Sequence, residues 1–278
     1  MVNIDGLQIG PKHPVRIMGV INLSPESFYK GAIAKNSNEF RMMLDRVVSE
    51  GADLIDIGGT STAPKNVYGT TDVPRDEEIN RVSLALGSVD DMKRPISIDT
   101  TSSAVAEIAL DLGASLVNDI SGLQADPRMV KLVADREVPV ILMANCNTPC
   151  GSVQDSLNSL RISLTIAKDH GISAERIILD PGIGFGKPPE VDFAILRNLD
   201  QFTSLGHPLL VGVSRKAFIG HLLGQSDPDD RLIGSTAATS IAVMNGANVI
   251  RAHDVKEARI AAHVGKATYE QQDMSEPL

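Results

Sequence analysis

Ile177-Ile178-Leu179-Asp180-Pro181-Gly182-Ile183-Gly184-Phe185-Gly186-Lys187 is the stretch on which the fold turns. It begins as a short apolar run of the kind that forms a fully buried strand. The run ends on an acid, followed by Pro and three Gly, so Asp180 stands where a buried strand meets a tight, close-approach loop. In a parallel α/β protein the carboxyl ends of the strands are where ligands bind. Read alone, Asp180 serves equally well as a cap for the turn. The pattern, however, recurs along the chain.

Apolar, β-rich runs predict strands at Val15–Val20, Leu54–Ile57, Ile96–Ile98, Leu116–Val117, Val138–Met143, Ile177–Leu179, Leu209–Val213 and Val249–Ile250. Between them, helical periodicity marks Glu39–Ser49, Arg75–Leu86, Ser103–Leu112, Asp126–Asp135, Val153–His170, Glu190–Leu199, Arg231–Asn245 and Val255–Thr268. Strands separated by helices of this length imply βαβ crossovers and a parallel sheet. Eight such units predict an α/β fold, a (β/α)8 TIM barrel. Gly51-Ala52-Asp53-Leu54-Ile55, Gly113-Ala114-Ser115-Leu116-Val117 and Gly246-Ala247-Asn248-Val249-Ile250 echo one another, each a helix stop leading into a buried strand. Their spacing corresponds to repeats of roughly 31–33 residues, the size of one βα unit. An open doubly wound sheet would usually carry a Gly-rich phosphate turn after its first strand. Here that strand ends in Ile21-Asn22-Leu23-Ser24-Pro25. The connections Ser24–Asn38 and Thr60–Pro74 are long enough to be lids or binding loops.

The barrel is expected to occupy residues 1–270 as a single domain, with 271–278 a flexible tail. A formal net charge of −9 argues against a nucleic-acid binder that relies on phosphate neutralisation, although a local basic site stays open. No apolar run approaches membrane-spanning length, and the N-terminus does not read as a secretory signal. The expectation is therefore a cytoplasmic protein with no membrane partner. Cys146 and Cys150 are too few for a disulfide framework and, with no further Cys, are expected to be reduced loop thiols rather than metal ligands. His13, His170, His207 and His221 lie beside Pro, Gly or helix ends and are expected to be ordinary surface or core residues.

Polar residues stand at nearly every strand end: Asn22; Asp56 with Ser61 and Thr62; Ser97 and Asp99; Asn118 and Asp119; Asn145; Asp180; Ser214, Arg215 and Lys216; Arg251 and His253. In a barrel these ends converge on one mouth. Asp56, Asp119 and Arg215 are expected to be structural, Asp56 through a pairing with a neighbour. Asp99, Asn118 and Asp180 suit a flat heterocycle rich in N–H donors, because ionised carboxylates only accept hydrogen bonds. Phe185 could stack on or wall off such a ring. Arg251 and His253 are two apart on one strand and face the same side, as an anion clamp would. Lys216 adds a further cation. An acidic half and a basic half fit a ligand with a basic heterocycle at one end and phosphate at the other.

Six segments, taken together, resemble the dihydropteroate synthase family. They are Ile17-Met18-Gly19-Val20-Ile21-Asn22-Leu23-Ser24-Pro25-Glu26-Ser27-Phe28, Ser97-Ile98-Asp99-Thr100, Val117-Asn118-Asp119-Ile120-Ser121-Gly122, the Asp180 stretch, Val211-Gly212-Val213-Ser214-Arg215-Lys216 and Arg251-Ala252-His253-Asp254-Val255. The resemblance implies a (β/α)8 barrel that joins 4-aminobenzoate to 6-hydroxymethyl-7,8-dihydropterin diphosphate and releases diphosphate. It implies that Asp99, Asn118, Met143, Asp180, Phe185, Gly212, Lys216 and Arg251 surround the pterin, with Asp99, Lys216 and Arg251 acting in catalysis. Asn22, Thr62, Arg251 and His253 would hold the diphosphate, with Asn22 reaching a Mg²⁺. A homodimer is a separate expectation, since the sequence does not fix the oligomeric state.

Two positions depart from the family pattern. Ser61-Thr62 is followed by Ala63-Pro64 where the family usually has Arg, and Met143 by Ala144 where it often has His. Both losses are expected to open the arylamine side to a larger amine, such as a ribofuranosyl-aminobenzene phosphate, with Lys65 or Arg75 replacing the missing Arg. The rival readings are a pterin-dependent methyltransferase, which has no need of a diphosphate clamp, and a non-catalytic pterin-binding protein.

Overall fold

The computed structural model describes residues 1–27, 29–61, 73–89, 91–146 and 149–269. It begins with an antiparallel hairpin, β1 (Val2–Ile4) and β2 (Leu7–Ile9). This hairpin is an addition to the expected elements, although alternating apolar residues around Asp5-Gly6 are a recognised hairpin signal. Then come β3 (Arg16–Asn22), β4 (Leu54–Gly58), β5 (Ile96–Asp99), β6 (Leu116–Asp119), β7 (Val140–Met143), β8 (Ile177–Asp180), β9 (Leu210–Val211) and β10 (Val249–Ala252). These eight strands form one parallel sheet in the order β8-β7-β6-β5-β4-β3-β10-β9. A parallel bridge between Leu179 and Leu209, with the Leu179 N–H donating to Pro208 O at 2.9 Å, brings the two edges together. The predicted (β/α)8 barrel is therefore the fold found.

The eight expected helices are present at Ser37–Ser49, Arg75–Leu86, Ser103–Asp111, Pro127–Arg136, Val153–Asp169, Pro189–Arg197, Leu232–Met244 and Val255–Tyr269. Their starts follow from local chemistry. Asn36 caps the first by accepting from the N–H groups of Asn38 and Glu39, and Ser152 caps the fifth by accepting from Asp155 N–H. Two short helices, Leu199–Thr203 and Ala217–Leu223, are additions to the expected set. The second leads directly out of Ser214-Arg215-Lys216. The expected tail, 271–278, lies outside the described residues.

The period of two along each strand sorts the core into two parts. Ile17, Ile21, Ile55, Ile57, Ile96, Ile98, Val117, Val140 and Ile250 belong to the larger cluster, which packs the sheet against the helices. The alternate residues Met18, Leu54, Leu116, Ile141, Ile178, Leu210 and Val249 form a second cluster with Val2, Ile4 and Ile9 of the hairpin, all of them buried. The hairpin thus closes the amino-terminal end of the barrel with apolar side chains. Further along the same inward-facing rows stand Asn22, Asp56, Asp99, Asn118, Met143, Asp180 and Arg251, so the interior changes from apolar to polar toward the strand ends.

Because Ile4 is 1 % exposed in that lower cluster, Ile4→Ala should lower the unfolding free energy by about 2–5 kcal/mol. A denaturant titration checks this: the midpoint should fall at unchanged slope. An unchanged midpoint would mean that the hairpin is not part of the core.

Candidate active site

The centre of the barrel mouth is a buried ion cluster. The Arg251 Nε donates to Asp56 Oδ2 at 2.7 Å, and its Nη2 donates to Asp99 Oδ2 at 3.1 Å. The flat guanidinium fork meets two carboxylates at once. Asp56 Oδ2 accepts a second bond, from Asn118 Nδ2 at 3.1 Å. Asp56 is fully buried, and Asp99 and Asn118 are nearly so, so none of these charges is tolerable without its partner. Burial works against the Arg251 cation, but Asp56 and Asp99 more than offset it and raise its pKa. Asp56 Oδ1, Ser97 Oγ and Asn118 Oδ1 are buried and have no hydrogen-bond partner among the described residues. A buried acceptor left unsatisfied costs about 1–3 kcal/mol, so this surface is made to receive N–H or O–H donors.

The stretch after β8 forms the adjoining wall. Asp180 Oδ1 accepts from Gly182 N–H at 2.7 Å, and Asp192 Oδ1 accepts from Gly184 N–H at 2.8 Å. The Lys187 ammonium donates to Gly182 O, and the Lys216 ammonium donates to Ile183 O. Gly182 and Gly184 have φ of +72° and +77°, which glycine adopts without strain. A side chain at Gly184 would also collide with Lys216. The Lys216 Nζ lies 4.6 Å from the centre of the Phe185 ring. Gly212 faces the gap between Arg251 and Lys216, and an added Cβ would stand 3.6 Å from Arg251 Cβ and 3.8 Å from Lys216 Nζ.

Burial dominates the electrostatics of this wall. It pushes the Asp180 carboxyl up, against the pull of Lys216 and Gly182 N–H. It lowers Lys216 to about 8, with Asp180 acting in the opposite sense and Arg251 adding to the depression. It pushes Asp192 up to about 6 and lowers the Lys187 ammonium.

On the far side, His253 Nδ1 is 3.0 Å from Ser214 Oγ, and Tyr29 meets the His253 ring edge-on at 5.0 Å. Burial, with Arg251, Arg215 and Lys216 nearby, holds the imidazole at about 3, so it is neutral at pH 7. The expected Arg/His clamp therefore draws its charge from Arg251 and Lys216, with His253 contributing hydrogen bonding. Arg215 is structural, as expected: it binds Asp254 through two bonds of 2.8 Å, donates to Pro228 O and Asp229 O, and lies over the Tyr29 ring. Asp119 also has its expected role, accepting from Ser121 and Leu123 N–H in a turn. Asn22 ends β3 at the rim, where its carbonyl accepts from Ala34 N–H.

Three expectations need correction. Asp56 does pair with neighbours, but its partners Arg251 and Asn118 make it part of the site. Ala144 does not open the mouth: it is 1 % exposed and packs in the outer cluster between sheet and helices, because strand alternation turns it away from the side that Met143 faces. Cys146 and Cys150 are not free thiols but form a disulfide, their Cα atoms 5.4 Å apart. Thr62, Ala63 and Lys65 lie outside the described residues. Arg75 is exposed at the start of its helix. The sequence reading missed Lys187, which pins the glycine loop, and Arg81. Arg81 ties Glu26 (3.2 Å) and Gly59 O (3.1 Å) together and so joins the segments following β3 and β4. Arg81 carries no motif, and its contact spans 55 residues.

The family described as "Pterin binding enzyme" matches residues 18–253. The chain belongs to the dihydropteroate synthase family of pterin-binding enzymes. It is 41 % identical over 250 residues to the dihydropteroate synthase of Clostridium beijerinckii, covering 88 % of this chain and 91 % of that one. It is 37 % identical over 261 residues to a probable bifunctional folylpolyglutamate synthase/dihydropteroate synthase of Haloferax volcanii, covering 91 % of this chain and 30 % of that longer protein. Among solved structures, a dihydropteroate synthase of Yersinia pestis with a sulfonamide drug complex superposes with a TM-score of 0.88 at 33 % identity, covering 98 % of this chain and 99 % of that one. One of Coxiella burnetii in complex with pteroic acid gives 0.86 at 34 % identity, with the same coverage.

The Lys216 ammonium should titrate near 8 rather than at its ordinary 10.5. Removing the anion that supports it, by Asp180→Asn, should lower that value further. Carbon-detected NMR of the lysine ε-methylene checks both, and a shift upward in the variant would contradict the assigned geometry.

Proposed function

We propose that this chain condenses 6-hydroxymethyl-7,8-dihydropterin diphosphate with 4-aminobenzoate and releases diphosphate. The observation that carries the reading is the meeting, in one mouth, of buried acceptors with cations. Asn118 Oδ1 and the Asp180 carboxylate would receive the N–H edge of the pterin. Gly212 leaves room for the ring between Arg251 and Lys216, and Phe185 covers Lys216 from the loop side. Arg251, held by Asp56 and Asp99, stands beside the ring with its charge already oriented.

The reaction breaks the bond from the exocyclic carbon to the diphosphate oxygen, and the electron pair leaves with diphosphate. The arylamine nitrogen then attacks that carbon and loses a proton. Asp99 and Asp180 would stabilise cationic character on the pterin, while Lys216, Arg251 and the hydrogen bonds of His253 would stabilise the departing anion. No side chain needs to become covalently attached. Thr62, a further candidate for the diphosphate, falls among the residues not described.

Mg²⁺ binds oxygen ligands, keeps several waters and is usually held by one or two protein groups plus substrate phosphates. Among the described residues no group of three or more His, Cys, Asp or Glu is arranged to hold a metal ion. The carboxamide oxygen of Asn22 at the rim suits an ion that arrives with diphosphate, which is the mode that this donor set fits. Bound there, Mg²⁺ would neutralise charge on the leaving group.

The burial of Ala144 removes one reason for a larger amine, so 4-aminobenzoate is the favoured acceptor. A dihydropteroate synthase of Thermus thermophilus, 39 % identical with a TM-score of 0.77, was solved in complex with that compound. The named synthases among the relatives also weigh against a methyltransferase or a non-catalytic binder. No helix of the described residues is long and apolar enough to cross a membrane, and a cytoplasmic setting accords with the activity. Exposed Leu222, Ile233, Ile241 and Val264 on three neighbouring helices support a homodimer.

The test is diphosphate release with the pterin diphosphate and each amine. Turnover should require both substrates, and kcat/KM should favour 4-aminobenzoate over the phosphate-bearing amine. Asp180→Asn should weaken pterin binding by about 1.5–3 kcal/mol in calorimetry. No diphosphate release, or undiminished pterin affinity in a folded variant, would refute the reading.

A further inference from the structure

On the synthase reading given above, we infer that Tyr29 is a positioning residue for the diphosphate end of the site: its ring orients the His253 imidazole and couples it to the segment that returns to Asn22. Tyr29 stands in the connection after β3, not at a strand end, and is half-buried. Its ring meets two side chains of the mouth. The His253 ring lies edge-on to it, centres 5.0 Å apart and planes 66° apart. The Arg215 guanidinium carbon lies 4.4 Å from its centre. An edge-to-face aromatic pair and a guanidinium over an aromatic face both favour one ring orientation over others.

One of those partners is itself fixed. Arg215 is held by Asp254 through two bonds and by the carbonyls of Pro228 and Asp229, so it gives Tyr29 a rigid surface to rest on. The other partner is the group to be aimed. His253 is buried, with Nδ1 3.0 Å from Ser214 Oγ and its backbone N–H donating to the same oxygen at 3.2 Å. Those contacts anchor one side of the imidazole to Ser214, and the Tyr29 ring limits how it tilts. Orientation matters here because the imidazole is neutral at pH 7. A neutral ring acts on an anion through a directed hydrogen bond, which weakens steeply as its angle departs from linear.

The chain around Tyr29 is tied back to β3. Ala32 N–H donates to Tyr29 O at 3.4 Å, at the short turn Lys30–Ala32. Ile33 then forms a parallel bridge with Asn22, and Ala34 N–H donates to Asn22 O at 2.8 Å. Since β3 and β10 are neighbours in the sheet, Asn22 and His253 come from adjacent strands, and Tyr29 joins their segments above the sheet. The hydroxyl end of Tyr29 packs over Gly31, where an added Cβ would stand 2.6 Å from the phenol oxygen. The hydroxyl therefore rests against its own segment, and it is the aromatic face and edge that serve His253 and Arg215.

The experiment is calorimetric titration of the whole protein with inorganic diphosphate in the presence of Mg²⁺, and separately with 6-hydroxymethylpterin, which lacks the diphosphate. Tyr29→Ala should weaken diphosphate about three- to tenfold, the span of one aromatic pair, and leave the pterin affinity unchanged. Tyr29→Leu, which keeps apolar bulk without an aromatic face, should show the same loss. Tyr29→Phe should stay within about twofold of the unmodified protein, because the ring contacts remain. In a His253→Ala background, removing Tyr29 should change diphosphate affinity by less than about twofold, since the two act as one unit. Equal losses in both backgrounds would overturn the inference, as would unchanged diphosphate affinity in Tyr29→Ala and Tyr29→Leu, a Tyr29→Phe as weak as Tyr29→Ala, an equal loss of pterin, or no diphosphate binding by the unmodified protein. Turnover with the pterin diphosphate and 4-aminobenzoate separates this from the synthase reading. Turnover together with an unaffected Tyr29→Ala would remove the role of Tyr29 alone. No turnover, with the coupling to His253 intact, would remove the reaction and keep the anion subsite.

Discussion

The bond pair from Arg251 to Asp56 and Asp99 is the constraint on which the rest of the mouth depends. It ties β10 to β4 and β5 across the inside of the barrel, and it does so where water is largely excluded. Two buried carboxylates without a cation would be untenable, and so would the guanidinium without them. The three must be built together. Asn118 reads the same carboxylate, so β6 joins the network as well. What results is a set of acceptors with fixed directions and one oriented cation, formed by the barrel before any ligand arrives. Such preorganisation is what lets fixed charges act on developing charge without reorganising.

That polar cluster is tolerated because the barrel divides its interior by height. Apolar rows and the amino-terminal hairpin fill the lower half and supply the burial on which the fold rests. The upper half can then carry charges whose interactions strengthen in a low dielectric. Each wall is held from outside itself. Lys187 and Asp192 fix the glycine loop after β8, Arg215 and Asp254 fix the segment after β9, and Arg81 joins the segments after β3 and β4.

Much of this is legible in the sequence, for a definite reason. A parallel barrel repeats one local grammar eight times, and Asp99, Asn118, Asp180 and Arg251 stand out because each ends an apolar run. The resemblance to the synthase family rests on those same strand ends. The failures share a cause as well. Asp56 reads as structural because position within a strand does not reveal a partner 195 residues away. Ala144 reads as an opening of the mouth only while the residue after an inward Met143 is not assigned to the opposite face. The bond between Cys146 and Cys150 escapes notice because composition speaks of disulfide frameworks, not of one bond between residues four apart. His253 reads as part of a charged clamp, whereas three cationic neighbours and burial keep it neutral.

The most direct test of the central claim is a double-mutant cycle on the Asp56–Arg251 pair, using Asp56→Asn, Arg251→Gln and the combined variant, read by equilibrium unfolding. If the pair is built as one unit, each single variant should be strongly destabilised and the combined variant much less so than the two effects added, with a coupling of about 1 kcal/mol or more. Effects that add to within about 0.3–0.5 kcal/mol would contradict it, because they would mean that Arg251 and Asp56 act independently and that the mouth is organised by something else.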